Sequence, residues 1–410
     1  MAATDIKKFD YAVRDTHGKI QKGTIEAPSE GAVAHRLKEM GLAPVSITEV
    51  KTGGLQAEIK IPGLSDRIKL KDVAVMSRQL ATMIASGLSL LRALSILAEQ
   101  TENPALARVL QEVRNDVEAG SSFSASLSKH DKAFPPLMVN MVRAGEVGGF
   151  LDDVLESVAA NFEAEVKLRG KVKSAMTYPV VVFVIAILAV IGMLLFIVPV
   201  FATMFADLGG ELPFLTRILV MMSDGLKIGI VPLIVGIIAL NVFWTKNKNR
   251  VEFREKVEPV YLRLPVFGQL IQKIAIARFT RNLGAMVRSG VPILQALDIV
   301  GQASGNIVIE RAAKDVRESV RTGNSLAKPL AQHEVFPPMV VQMMAVGEDT
   351  GALDTMLDKV ADFYDQEVEA TTEALTSLIE PLMIAVLGGI IGFMVIGLYM
   401  PIFSVFSLVE

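Results

Sequence analysis

"FPPLMVNMVRAGEVGGFLDDVLESVAANFEAEV", residues 134–166, aligns without a gap on "FPPMVVQMMAVGEDTGALDTMLDKVADFYDQEV", residues 336–368, with identity at about 15 of 33 positions. Upstream, "RQLATMIASGLSLLRALSIL" (Arg78–Leu97) matches "RNLGAMVRSGVPILQALDIV" (Arg281–Val300). A one-residue change of offset between His130/Phe134 and His333/Phe336 marks one small insertion. Downstream, Pro179 and Pro199 bracket an apolar run as Pro381 and Pro401 bracket another at the same offset. The chain is therefore built on a duplicated unit, and each copy ends in a long apolar segment.

Inside each copy the spacing is helical. Leu151, Val154, Leu155, Val158, Ala159 and Phe162 form one apolar stripe at i, i+3, i+4, i+7, i+8 and i+11. Leu353, Met356, Leu357, Val360, Ala361 and Tyr364 repeat it. Breaks at "SGLSL", "AGSS", "FPP" and "AGEVGG" cut each copy into five or six helices, the last running on into the apolar segment. Short connections between them predict compact antiparallel bundles.

Three apolar runs are long enough to cross a bilayer. "PVVVFVIAILAVIGMLLFIVPVF" (Pro179–Phe201) spans roughly 30–35 Å as a helix. "IGIVPLIVGIIALNVFWT", between Lys227 and Lys246, lies near the lower length limit, and "PLMIAVLGGIIGFMVIGLYMPIF" (Pro381–Phe403) carries no charge before Glu410. Two copies in one orientation can be joined only if the chain returns through the membrane between them. The second run, which has no counterpart, makes that return.

The predicted fold is a mostly α integral membrane protein with two homologous cytoplasmic helical-bundle domains, three transmembrane helices and a small N-terminal α/β module. Residues 1–60 hold that module and its linker, 68–172 the first bundle, 176–203 the first transmembrane helix and 204–227 a short external loop. The second transmembrane helix is 228–245, the second bundle 270–375 and the third transmembrane helix 378–405. Lys167, Arg169, Lys171 and Lys173 before the first span, and Lys246, Lys248, Arg250, Arg254 and Lys256 after the second, set both flanks in the cytoplasm. The connecting loop has only Arg217 and Lys227 against Asp207, Glu211 and Asp224, as suits an external loop. Alternation then places the C-terminus outside.

The polar start "MAATDIKKFDYAVRDTHGKIQKG" has no apolar core of signal-peptide length, so no cleaved export signal is expected and the N-terminus is expected to stay in the cytoplasm. "KKFDYAVRDTHGKIQKGTIEA" alternates around His17-Gly18 like a β-hairpin. "SEGAVAHRLKEMGL" reads as a helix capped by Ser29 and ended by Gly41, and "APVSITEV" as a strand. "KTGGLQAEIKIPGLSDRIK" reads as a linker.

Composition narrows the function. Residues are 51% hydrophobic and mean hydropathy is +0.44, which suits a membrane protein. A net charge of only −3 gives no global basic field for holding nucleic acid. No cysteine is present, which removes disulfides, thiolate metal sites and cysteine nucleophiles.

The glycines around Glu146 resemble a phosphate cradle, yet Glu146, Asp152 and Asp153 would repel phosphate, as would Glu348, Asp349 and Asp354. No G-x-x-x-x-G-K-[ST] occurs, so any ATP energy must come from a partner. The stretch reads instead as a helix–turn–helix, with Gly145 and Gly347 left-handed and Asp152 and Asp354 at the positive start of the next helix. A cation site at Glu146 or Glu348 and direct partner contact stand beside that reading. His17, His35, His130 and His333 form no metal-binding pair, no G-x-S-x-G marks a hydrolase, and no ionisable residue lies inside a span to mark an ion path. Gly388-x-x-x-Gly392 has a spacing that allows close helix packing.

The two "FPP…GE…G…LD" stretches, the three runs in this order, and the N-terminal "FDYAVRDTHGKIQKGTIEA" with "LKEMGLAPVSI" resemble the inner-membrane platform proteins of type IV pilus and type II secretion machines. The resemblance covers essentially the whole chain, and "FADLGGELPFLTRIL" between the first two spans is similar to family sequence too. It implies a non-enzymatic adaptor without cofactors, dimeric or higher in order, in the bacterial cytoplasmic membrane. Its implied partners are a cytoplasmic hexameric secretion or pilus ATPase, pilin or pseudopilin subunits, other inner-membrane assembly components and membrane lipid. The family's motif falls on Gly145, Glu146 and Gly149, and on Gly347, Glu348 and Gly351. With Arg78 and Arg281 these are the candidate partner-contact residues. Copy two has Ala345 for Arg143 and Thr355 for Asp153, so an Arg143–Glu146 pair is not required in both copies. The alternative is an oligomeric channel or transporter; an intramembrane enzyme is a third, more distant reading.

Overall fold

The computed structural model describes residues 7–14, 20–27, 30–39, 43–50, 67–207, 212–248, 250–265 and 267–406. The predicted His17-Gly18 turn, the helix ends at Ser29 and Gly41, and the linker from Lys51 to Asp66 lie outside the described residues. The chain divides into two units, Met1–Ser65 and Asp66–Glu410.

In the first unit β1 (Lys7–Arg14) and β2 (Ile20–Ala27) pair antiparallel. Helix α1 (Glu30–Glu39) leads to β3 (Ala43–Val50), which pairs with the other edge of β1. The β1–β3 ladder shifts register between Ala12 and Val13, where Pro44 faces Val13 and has no N–H to give. Val33 and Leu37, one turn apart, are buried with Ala27.

The regular elements among the second unit's described residues are all helices. Copy one comprises α2 (Leu70–Ala85), α3 (Leu90–Gln100), α4 (Pro104–Glu118), α5 (Phe123–Ser128), α6 (Pro136–Gly148) and α7 (Leu151–Gly192). A π turn, Met193–Ile197, carries α7 into α8 (Val198–Asp207). After α9 (Phe214–Asn247) and α10 (Val251–Arg263), copy two comprises α11 (Phe267–Arg288), α12 (Ile293–Ala303), α13 (Ile307–Arg321), α14 (Ala327–Leu330), α15 (Pro338–Thr350) and α16 (Leu353–Phe406).

Local chemistry repeats with the sequence. Asn103 caps α4 by accepting from the Ala105 and Leu106 N–H groups, and Asn306 caps α13 through Val308 and Ile309. In each Phe-Pro-Pro the phenylalanine is buried and the second proline is the first helical residue, where its missing N–H costs nothing. The two bundles share one hydrophobic core rather than owning two. Across their seam Asn161 Nδ2 donates to Asn282 Oδ1 at 2.9 Å in a buried contact, and Arg278 pairs with Glu165 at 2.8 Å. Lys171 pairs with Glu369, and Gln295 Nε2 donates to Asn140 Oδ1 at 2.7 Å.

Three helices are long and apolar enough to cross a membrane: Leu151–Phe205, Phe214–Asn247 and Leu353–Pro401. The first and third each begin in a bundle, and α16, with 54 residues, is roughly 80 Å long. Residues 214–227, expected in a loop because of their charges, are helical and open α9. Packing explains the difference. Thr216, Leu219 and Ser223 lie one turn apart on a buried face, while Arg217, Asp224 and Lys227 point outward. A Cβ at Gly388 or Gly392 would have no neighbour within 4 Å, so the close approach their spacing allows is not used among the described residues.

Candidate functional site

The Gly-Glu-Gly motif sits at the tip of the α6–α7 hairpin, and its second copy at the tip of α15–α16. The left-handed residue of each turn is Gly149 (φ 78°) or Gly351 (φ 70°). Gly145 and Gly347, expected to hold that role, are helical instead. Their lack of a side chain serves close packing. A Cβ on Gly145 would lie 2.8 Å from Val154 Cγ2 and 3.2 Å from Leu151 Cα, and one on Gly347 only 2.9 Å from Leu353 Cα. The carbonyl of Gly145 accepts from Gly149 N and Phe150 N, and that of Gly347 from Ala352 N, which closes each turn.

Glu146 reaches back across the bundle to the start of α5. Its carboxylate accepts from Phe123 N at 2.6 Å, Ser124 N at 3.1 Å and Ser124 Oγ at 2.7 Å. A helix start leaves its first N–H groups without partners and carries partial positive charge, so an anion there satisfies both needs. Glu348 does the same at α14, accepting from Leu326 N with both oxygens at 3.0 and 2.9 Å. Ala327 stands where copy one has Ser124, so the hydroxyl bond has no counterpart. Asp152, Asp153 and Asp354 lie in the first turns of α7 and α16, where the helix dipole favours them.

Arg78 and Arg281 occupy a second place, on α2 and α11, where each meets a carboxylate well along one of the same long helices. Arg78 on α2 forks onto Glu163 of α7, Nε to Oε1 and Nη2 to Oε2, both at 2.7 Å, and also meets Glu156 at 2.5 Å. These bonds raise the Arg78 pKa and hold Glu163 below the usual carboxylate value. Arg281 on α11 meets Asp365, the residue aligned with Glu163, through one nitrogen and one oxygen. Aspartate is one methylene shorter, and Arg281 Nη1 and Asp365 Oδ1 are left buried without a partner. Burial accordingly pushes the Asp365 carboxyl up, with the Arg281 charge opposing. Asp358, aligned with Glu156, is taken by Arg288, which replaces Ala85 of copy one.

The two sets of candidate residues thus do not converge into one site. Each ties one helix to another, and Glu146 and Glu348 are already engaged by in-chain donors. Among the described residues no group of three or more His, Cys, Asp or Glu side chains is placed to hold a metal ion. His130 lies 3.7 Å from Glu112, and the aligned His333 lies 3.3 Å from Asp315.

What sequence reasoning missed lies between the spans. Val198 N–H bonds the Met193 carbonyl in the π turn, and Pro199 has no N–H, so the Leu194 carbonyl is left without a donor in its own helix. Ser223 Oγ of α9 supplies one at 2.6 Å. The Gly397 carbonyl loses its donor to Pro401 in the same way, and Thr216 Oγ1 of α9 replaces it at 2.5 Å. An orphaned carbonyl in hydrocarbon is costly, so α9 completes both neighbouring helices. The signal was present in the sequence: hydroxyls seven residues apart on one face, beside a proline repeated in both copies.

Comparison with known proteins gives matches along most of the chain. The family model described as type II secretion system (T2SS), protein F matches residues 76–199 and again 279–401, and that of its N-terminal domain matches residues 1–48. A type IV pilus assembly protein PilC of Thermus thermophilus is 48% identical over 97% of this chain and 98% of its own. The PilC of Myxococcus xanthus is 44% identical over 98% and 96%. A type II secretion system protein F of Vibrio cholerae is 35% identical over 98% and 99%.

Proposed function

The chain belongs to the type II secretion system protein F family, and from that membership we propose that it is the inner-membrane platform of a type IV pilus or type II secretion machine. On this reading it catalyses nothing itself. Its bundles and N-terminus face the cytoplasm and engage a hexameric ATPase, its C-terminus is external, and its spans meet pilin or pseudopilin subunits as these leave the bilayer. Two or more copies assemble, together with other inner-membrane components. The identities of 48% and 44% to pilus proteins, against 35% to a secretion protein, favour the pilus.

The observation that carries this reading is that α7 and α16 each start at a motif tip and continue into a span. Leu151 stands roughly 38 Å along the helix from residue 176, so the tips reach far from the bilayer. Val147 at the first tip is 85% exposed, a single apolar side chain offered to a partner. In copy two the same place is Asp349, so the tips are not equivalent. We assign ATPase contact to the first tip, with Glu146 and Gly145 shaping it, Glu348 and Gly347 shaping its counterpart, and Arg78 and Arg281 bracing the helices behind.

The full-length protein in nanodiscs, mixed with the cognate purified ATPase, tests this. Wild-type protein is expected to bind the hexamer, and Val147→Asp to bind at least tenfold more weakly with unchanged thermal unfolding. Equal binding by the variant removes the tip from the contact. Solute flux through liposomes holding this chain alone would replace the platform reading with a channel.

A further inference from the structure

Helix α10 has two unlike faces. Toward the second bundle, Leu262 packs on the shared core, Arg254 pairs with Glu258 at 2.7 Å and with Glu310 of α13 at 3.3 Å, and Glu255 pairs with Arg311 of α13. About half a turn round the helix from Leu262 stand Phe253, Val257, Val260 and Leu264. Val260 is 57% and Leu264 42% exposed, and Phe267, the first residue of α11, is 43% exposed.

The apolar face does not point at random. Three residues before α9 ends, the Trp244 ring lies edge-on to Phe253 with centroids 5.4 Å apart, and 6.4 Å from Tyr261. Phe243 lies 6.2 Å from Phe253. The face opposite the bundle is therefore the one in contact with the end of a membrane span. Lys246, Lys248 and Arg250 at the α9–α10 turn, and Lys256 and Arg263 along the helix, are exposed around it.

We propose that α10 lies in the headgroup layer of the leaflet on the bundle side. Val260, Leu264 and Phe267 enter the acyl boundary there, and the basic residues meet anionic phospholipid headgroups. Continuity with α9 puts the helix at that depth. Aromatic rings favour the same layer, an amphipathic helix lies in its plane, and its anionic lipids attract Lys and Arg. Here these are chiefly Lys246, Lys248 and Arg250 at the turn, since Arg254, Lys256 and Arg263 on α10 are matched by Glu252, Glu255 and Glu258. The second bundle is then docked on the membrane along a helix as well as hung from one. The inference needs only that α9 crosses a bilayer, so it stands or falls apart from the ATPase reading.

The chain has no cysteine, so single-cysteine nitroxide labelling of the full-length protein is direct. Leu264→Cys, Val260→Cys and Lys256→Cys are labelled and reconstituted in vesicles of phosphatidylethanolamine and phosphatidylglycerol. Accessibility is read with oxygen, which concentrates in the bilayer, and with a water-soluble nickel chelate. At Leu264 and Val260 oxygen collisions are expected to exceed chelate collisions, with the ratio shifted the other way at Lys256. Chelate access at Leu264 equal to that at Lys256 would put the face in water and overturn the proposal. A label closed to both reagents would mean protein covers the face, which overturns it as well. If Leu264→Cys does not fold, Val260→Cys decides alone, since that side chain is more than half exposed.

Discussion

The carboxylate of Glu146 accepts the backbone N–H of Phe123 at 2.6 Å, so the tip of one hairpin holds the start of another helix. Glutamine in place of Glu146 keeps one acceptor oxygen but turns an amide toward the remaining donors. Glu146→Gln is expected to lower stability by about 1–3 kcal/mol, since bonds to a charged group are the strong ones. Glu348→Gln is expected to cost less, because Glu348 serves one N–H and no hydroxyl. Thermal unfolding of both variants in detergent checks the order; equal losses would show that the Ser124 bonds add nothing.

Gly145 and Gly347 are limited by neighbours rather than by φ. Each Gly→Ala change is expected to cost about 1–3 kcal/mol by overpacking. Trimming Val154 to Ala should restore part of the loss in Gly145→Ala, since Val154 offers the nearest atom. No trimming can rescue Gly347→Ala, where the nearest atom is the Leu353 backbone. A double-mutant cycle on Gly145 and Val154 measures the coupling, and a value near zero would reject it.

Thr216 and Pro401 are linked through the Gly397 carbonyl, which Thr216 serves because Pro401 has no N–H to give. Thr216→Val is expected to cost about 0.5–2 kcal/mol, the range for hydrogen bonds between membrane helices. In a Pro401→Ala background, where residue 401 regains an N–H, the same change should cost less. Reversible unfolding in micelles gives both figures. A Thr216→Val loss that is unchanged by Pro401→Ala would mean that the hydroxyl does not stand in for the missing amide.

Glu163 and Asp365, aligned in the two copies, are shifted in opposite directions, and pH should separate them. Glu163 is depressed by Arg78, so its contribution is present above the ordinary glutamate value of 4.5 and fades as pH falls through the lower folded value. Asp365 is raised by burial, so its contribution is full below the ordinary 3.8 and fades as pH rises through the higher folded value. Asp365→Asn should therefore make stability fall more steeply toward acid, and Glu163→Gln less steeply. Parallel pH profiles for the two variants would contradict the assignment. Glu163 is nearly half exposed, so solvent screening keeps its share small.

The spans and the two copies were legible in the sequence because burial in lipid and duplication both leave long, regular patterns. The Phe-Pro-Pro breaks between helices were legible through their local chemistry, which nearby residues decide. Other roles depend on which helices meet, and no pattern of adjacent residues encodes that. The partner of Glu146 is 23 residues away on α5, and that of Asn161 is in the other copy. Gly145 was read as a turn glycine because a close helix crossing and a left-handed cap both ask for the same residue. Residues 214–227 were read as loop because their charges occupy only the side that does not pack.

The unbroken course of α7 and α16 from bundle to bilayer has a mechanical meaning. A helix is stiff over a few tens of ångströms, and no loop intervenes in which displacement could dissipate. Across the roughly 80 Å of α16, a tilt of about 5° at one end shifts the other by about 7 Å. Each is one continuous rod from a motif tip to a span. The two rods are not matched: α7 passes into the π turn ahead of Pro199, whereas α16 stays α-helical past Pro401. On the platform reading, a displacement of the two tips would therefore reach the far ends of the two spans unequally.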